Sequence, residues 1–133
     1  MATSQRIVGL AFALLWIGNV ASGAPDLTAT YAGCNLQTYE AGDGYASSVV
    51  YVVSALESVT PSIPGYDYYI SSTYPAAIVY GHAAYNPALS VADCITCIDY
   101  VKTDMLIYCP NNIGAQLVLH DCRMRYEHDP FTE

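Results

Sequence analysis

Positive charge is what this sequence has least of: four Lys and Arg stand against 12 Asp and Glu, a formal net charge of −8. So acidic a surface repels phosphate backbones and anionic lipid, which excludes nucleic acid and the bilayer as partners. The recognisable catalytic motifs are missing too, with no nucleophile elbow, no HExxH and no phosphate loop. An enzyme is therefore not expected, and no cofactor is implied. Glu127 and Asp129 are neighbouring carboxylates, but their spacing suits a solvated tail as well as paired acid–base chemistry. No Asn-x-Ser/Thr sequon occurs, so N-glycosylation is not expected. No linker, repeat or low-complexity tract divides the chain, and one domain is the economical reading.

Only one long apolar run is present, Ile7 to Val20, preceded by Arg6 and followed by Ala21-Ser22-Gly23. Basic, then apolar, then small is the order of a secretory signal peptide, with cleavage expected after Gly23. The run falls short of the roughly 20 residues of a membrane helix, and no later stretch stops transfer. Residues 1–23 are thus read as signal peptide, and 24–133 as a secreted, extracellular domain. That part keeps Lys102, Arg123, Arg125 and five cysteines, Cys34, Cys94, Cys97, Cys109 and Cys122. In an oxidising compartment such cysteines favour bridges over redox or metal chemistry. Zinc would need Cys94, Cys97, Cys109 and Cys122 with His82, His120 or His128, and no metal site is expected.

Local patterns divide the rest. Between Tyr45 and Val59 the positions Val49, Val50, Val53 and Leu56 recur at helical spacing, and Pro61 and Pro64 end the run. Tyr66–Tyr74 and Ala77–Tyr85 are β-favouring, with Gly81 marking a bulge or a close approach. Ser90 and Asp93 resemble a capping box opening a helix over Val91–Ile107, whose inner face carries Cys94, Cys97, Ile98, Val101 and Met105. Ala115–Glu127 suits a core strand or hairpin arm, with Leu117 and Leu119 on one face and Val118, Cys122, Met124 and Tyr126 around the other.

The order Cys34-Asn35, Val79-Tyr80-Gly81, Tyr85-x8-Cys94-x2-Cys97, Cys109, Ile113-Gly114-Ala115, Asp121-Cys122 and Arg125-Tyr126-Glu127 resembles the plant ginkbilobin-type domain. This stress-antifungal module occurs outside the cell in cysteine-rich receptor-like kinases and in small secreted proteins. The resemblance spans residues 27–131. It implies an α+β fold, two helices packed on a five-stranded antiparallel sheet, stapled by disulfides. It pairs Cys34 with Cys109 and Cys97 with Cys122, and would pair position 85 with Cys94. Position 85 is Tyr here, so the third bridge cannot form and Cys94 is left unpaired. Closing only a short loop, that bridge would contribute least, about 2.5 kcal/mol. Tyr85 is expected to compensate by burying its ring near the start of the second helix.

Cys94 then admits several roles: a buried free thiol, a homodimer through an intermolecular disulfide, or a redox pair with Cys97 that would require Cys97 to be free of Cys122. Its place in the first turn of a helix favours a thiolate modestly. The resemblance also implies a mannose site made by Asn after the first cysteine, Arg before the last and Glu after it. Those positions are Asn35, Gln116 and Glu127. An amide and a carboxylate can bind vicinal hydroxyls, but Gln116 lacks the guanidinium charge, and Glu127 loses a cationic partner unless Arg123 or Arg125 supplies one. Alternatively, Asn35 satisfies a turn and Glu127 is a solvated strand end. Tyr66, Tyr68, Tyr69 and Tyr74 suit packing of the sheet more than oxidative cross-linking in a wall.

Two functions follow as expectations. One is a secreted defence protein, a mannose-binding lectin with antifungal activity. The other is a non-catalytic apoplastic module for cell-wall or receptor proteins that has lost sugar contact.

Overall fold

The computed structural model describes residues 23–133, so the signal peptide read over residues 1–23 lies, but for its last residue, outside them. Strand β1 (Ala29–Cys34) is followed by helix α1 (Gly44–Val59), a 3-10 turn (Thr60–Ser62), β2 (Asp67–Ser71), β3 (Tyr80–Tyr85), α2 (Val91–Tyr108), β4 (Ala115–Leu119) and β5 (Cys122–Glu127). The strands form one five-stranded sheet in the order β1-β4-β5-β3-β2. Every pairing is antiparallel, and the two helices cover one face, which is the α+β architecture expected.

Helix α1 starts where Asp43 accepts the Ala46 N–H at 3.0 Å and so satisfies one of the unpaired donors of the first turn. Its inner face is Val49, Val52, Val53 and Leu56, one residue different from the sequence reading. Val50 is 62% exposed and Val52 is fully buried. A run of valines offers two stripes, and the one that meets the sheet is set by Gly81. A Cβ there would lie 2.4 Å from Val52 Cγ1 and 3.0 Å from Leu56 Cδ1, so the glycine marks close packing.

Helix α2 buries the stripe expected of it, Cys94, Cys97, Ile98, Val101 and Met105, and Ser90 caps it by accepting the Asp93 N–H at 3.1 Å. The Lys102–Glu57 ion pair, 2.8 Å, ties α2 to α1.

Strand β2 begins at Asp67 because Tyr66 is in the left-handed region at φ 55° and turns the chain. Ahead of β3, Val79 donates its N–H to the Ser72 hydroxyl (2.9 Å) where a ladder bond would have formed, so the strand is shorter than the aromatic pattern suggested.

The segment Ala115–Glu127 is a hairpin, and its turn corrects the facial assignment. Leu117 pairs with Met124 and Ala115 with Tyr126, so Ala115, Leu117, Leu119, Cys122, Met124 and Tyr126 all face the helices. Residues opposite each other across a ladder share a face, and the His120-Asp121 turn inverts the parity expected of one continuous strand. The other face carries Gln116, Val118, Arg123, Arg125 and Glu127, all only half-buried.

Bridges join Cys34 to Cys109 and Cys97 to Cys122. The first ties the end of β1 to the C-cap of α2, and the second ties α2 to β5. Cys97 is thus unavailable for a redox pair, and among the described residues no three His, Cys, Asp or Glu side chains converge as metal ligands. Cys94 is free and 1% exposed. Of the roles open to it, this is the buried free thiol, and it argues against a homodimer through Cys94, because a sulfur enclosed beneath the helix does not reach another chain. Burial also pushes its thiol up to about 11, overriding the thiolate preference of the helix N-terminus. The half-buried Tyr85 ring packs against the core, edge-on to Tyr66 with centroids 6.0 Å apart, and its hydroxyl donates to the Ile63 carbonyl at 3.3 Å.

Candidate functional site

Asn35, Gln116 and Glu127 meet in a depression of about 260 Å³ where β1, β4 and β5 end, with Tyr31, Gly33, Cys34 and Arg125 completing its walls. Register places them: Gly33 pairs with Gln116, and Gln116 pairs with Arg125 on the next strand. The Cys34–Cys109 bridge fixes the residue beside Asn35.

The loop Asn112–Gly114 lies behind Asn35 and Glu127, and two phenols, Tyr126 buried and Tyr45 partly buried, hold it. Tyr126 donates its hydroxyl to the Asn112 carbonyl at 2.6 Å, and Tyr45 donates to the Ile113 carbonyl. Burial, and then for Tyr45 the Glu127 carboxylate, pushes both hydroxyls well above the ordinary phenol range, so both remain protonated donors. The loop in turn positions Asn35, whose N–H donates to the Gly114 carbonyl (2.8 Å) and whose carbonyl accepts from Asn112 Nδ2 (2.6 Å). The Asn35 side chain uses Oδ1 to cap a turn, accepting the Gln37 N–H at 2.9 Å. Its amide nitrogen has no hydrogen-bond partner among the described residues, so turn formation occupies only half of this side chain.

Glu127 lies against Gly114, where a Cβ would come within 2.1 Å of its Oε1. Its other oxygen accepts from Arg125 Nε at 2.9 Å. Arg125 is thereby placed beside Gln116, opposite it across the ladder, and its guanidinium also lies 4.2 Å over the Phe131 ring. A cation partner for Glu127 was one of two options in the sequence, and the geometry selects Arg125. Gln116 itself is occupied, donating from Nε2 to Glu133 Oε1 at 3.0 Å. That contact, spanning 17 residues, carries no sequence signal. Asp129 turns towards His128, with 3.2 Å between Oδ2 and Nε2, while Glu127 holds Arg125.

Chemically the depression offers an amide donor, a guanidinium and a carboxylate within one polar hollow, the complement of neighbouring hydroxyls on a small neutral polyol. A larger hollow of about 850 Å³, bordered by Pro61, Val91 and Ile95, offers mainly apolar walls. Among the described residues no helix is long and apolar enough to cross a membrane.

Comparison with known proteins agrees with this reading of the framework. The family described as salt stress response/antifungal matches residues 33–129. The antifungal protein ginkbilobin-2 of Ginkgo biloba is 29% identical over 124 residues, covering 92% of each chain. The antifungal protein ginkbilobin-like protein 1 of Picea sitchensis is 30% identical over 109 residues, covering 80% of this chain and 81% of that one. Among solved structures, the tandem DUF26 ectodomain of the Arabidopsis thaliana cysteine-rich receptor-like protein PDLP8 superposes with a TM-score of 0.73 at 23% identity over 78% of this chain. This chain spans 50% of that ectodomain's length, so the likeness is one of fold over a single module. A matched family over most of the described residues, antifungal relatives at 29% and 30% identity over most of this chain and the same fold lead to one conclusion: the chain belongs to the salt stress response/antifungal family and is a cysteine-rich domain of the ginkbilobin type.

Proposed function

We propose that this protein is a secreted, extracellular defence-type module that binds a mannose-type sugar in the β1–β4–β5 depression, with Arg125 supplying the guanidinium that Gln116 lacks. The observation that carries the reading is the meeting of Asn35, Gln116 and Glu127 in one hollow with Arg125 Nε 2.9 Å from Glu127. Glu127 would accept from two sugar hydroxyls, Arg125 would donate to the oxygen between them, and the free Asn35 amide would complete the ring of contacts. The antifungal names of the conifer and Ginkgo relatives are consistent with a defence role.

Calorimetry of methyl α-mannoside against the domain tests this. A charge-assisted hydrogen bond is worth about 1.5–3 kcal/mol, so Arg125→Ala should weaken binding roughly 10- to 150-fold. Gly114→Ala should do the same by evicting the Glu127 carboxylate, while leaving thermal stability nearly unchanged. Gln116→Arg should gain little, because it sets a second guanidinium directly opposite Arg125. If the sugar does not bind, or if Arg125→Ala and Glu127→Ala bind as well as the parent, the domain is instead the non-catalytic interaction module.

A further inference from the structure

On the open face of the sheet, next to the depression, a single carboxylate is held by three side chains from three adjacent strands. Glu133 Oε1 accepts from Gln116 Nε2 of β4 at 3.0 Å and from Arg123 Nη2 of β5 at 2.9 Å. Its Oε2 lies 3.0 Å from Nδ1 of His82 on β3. The Glu133 side chain is 12% exposed and His82 only 2%, although this face carries no helix. The His82 ring is fixed by stacking on Tyr69, with centroids 4.1 Å apart, and by Asp67 at its other nitrogen. Tyr69 also hydrogen-bonds the Glu133 backbone at 2.9 Å.

A solvated tail glutamate needs none of this, since exposed ion pairs contribute little. The donors sit on strands whose register is fixed, and the His82 ring is held by Tyr69 and Asp67, so the backbone frame and the imidazole do not depend on the residue that fills the site. Glu133 does not fill it completely. Arg123 Nε is buried and has no partner among the described residues, because Glu133 engages only the Nη2 side of the guanidinium. A carboxylate approaching Arg123 edge-on would take Nε and Nη2 together in the bidentate geometry that guanidinium favours.

We propose that His82, Gln116 and Arg123 form a carboxylate-binding subsite, filled in cis by Glu133, that accepts the carboxylate of a uronic-acid residue when the segment 130–133 moves aside. The choice of a uronic acid rests on the sugar reading given above. Gln116 belongs to both sites, so a ligand that spans them carries hydroxyls for Asn35, Arg125 and Glu127 and a carboxylate for Arg123.

The test uses Glu133→Ala, which removes the cis occupant from the surface without touching the core. Galacturonate and galactose, which differ at the carboxylate, are titrated by NMR while the Arg123 Nε–H and His82 ring signals are followed. Galacturonate should bind Glu133→Ala about 10-fold or more tighter than it binds the parent, and should shift the Arg123 Nε–H. Adding Arg123→Gln should abolish the gain. Equal affinity for galacturonate in parent and Glu133→Ala, or equal shifts from both sugars, overturns the subsite. If methyl α-mannoside fails to bind but galacturonate shifts His82 and Arg123, the subsite stands and the neutral-sugar reading falls. If mannoside binds and galacturonate gains nothing, the reverse holds.

Discussion

Cys94 shows how one residue changes meaning between sequence and structure. As an odd cysteine in a bridged framework it leaves a buried thiol, an outside partner and a redox pair open, and its 1% exposure beneath α2, with the thiol pushed up to about 11, selects the first. Iodoacetamide at pH 8 should therefore leave the folded protein unlabelled and add one group only after denaturation, which mass spectrometry reads directly. The unfolded thiol ionises near pH 8.5. The proton is held more tightly when folded, so this group's stability contribution is intact below that pH and falls away as pH rises towards about 11. Cys94→Ser should cost about 1–3 kcal/mol by burying a hydroxyl without a partner. The site residues were legible unequally. Asn35, Gln116 and Glu127 came through family resemblance, and Arg125 was one of two candidates. Arg123 was the other of those two and His82 stood only among the zinc candidates, but their meeting at Glu133 had no signal, because no spacing in a sequence says that positions on three strands and a tail converge.

Among the elements, α2 was legible in full, since Ser90 marks its start and its buried stripe repeats at helical spacing, although Val91, Ile95 and Ile107 are apolar and exposed. Helix α1 was legible only in outline, because its valines supply two stripes and Gly81 on another strand decides between them. The hairpin misled for a different reason: a two-residue turn reverses facial parity, and parity is all that alternation records. Strand β1 carries no apolar alternation, and its partner β4 lies far away in sequence, so it was reached by resemblance alone. The same hairpin turn anchors the start of the described chain. Asp121 accepts the Asp26 N–H at 2.7 Å and Asn86 Nδ2 at 3.1 Å. The Asp26 N–H above all, then Asn86 and His120, hold its carboxyl below the usual range. A lowered folded value means that the stabilisation is present above about pH 4 and is lost as pH falls through the folded value. Asp121→Asn should therefore lower stability by about 1–3 kcal/mol at neutral pH. The gap from the parent should narrow as melting temperatures are followed down from pH 5 to pH 2.

At the scale of the whole molecule, two bridges staple the described domain. Their loops close sequence separations of 75 and 25 residues, which the chain-entropy relation converts to about 4–5 and 3–4 kcal/mol. Replacing Cys34 and Cys109 together by Ala should thus destabilise more than replacing Cys97 and Cys122, with urea midpoints giving the order. A domain of this size is stable by only about 5–15 kcal/mol, so either loss is a large fraction of the whole.

The sheet order β1-β4-β5-β3-β2 has a consequence in time. The two strands that join its halves, β4 and β5, are the last of the eight described elements to be synthesised. Until they emerge, β1 has no neighbour and α2 lacks most of the sheet it rests on, whereas α1 can already pack on β2 and β3. Cys34 meets Cys94 and Cys97 before Cys109 exists, and both early encounters give the wrong bridge. On the secreted reading proposed above, any bridge closed at that stage would be mispaired, and the final pairing would then require thiol–disulfide reshuffling on a scale of seconds to hours. Cys94, without a bridge of its own in the finished protein, would be a thiol available for that exchange until the closing hairpin covers it.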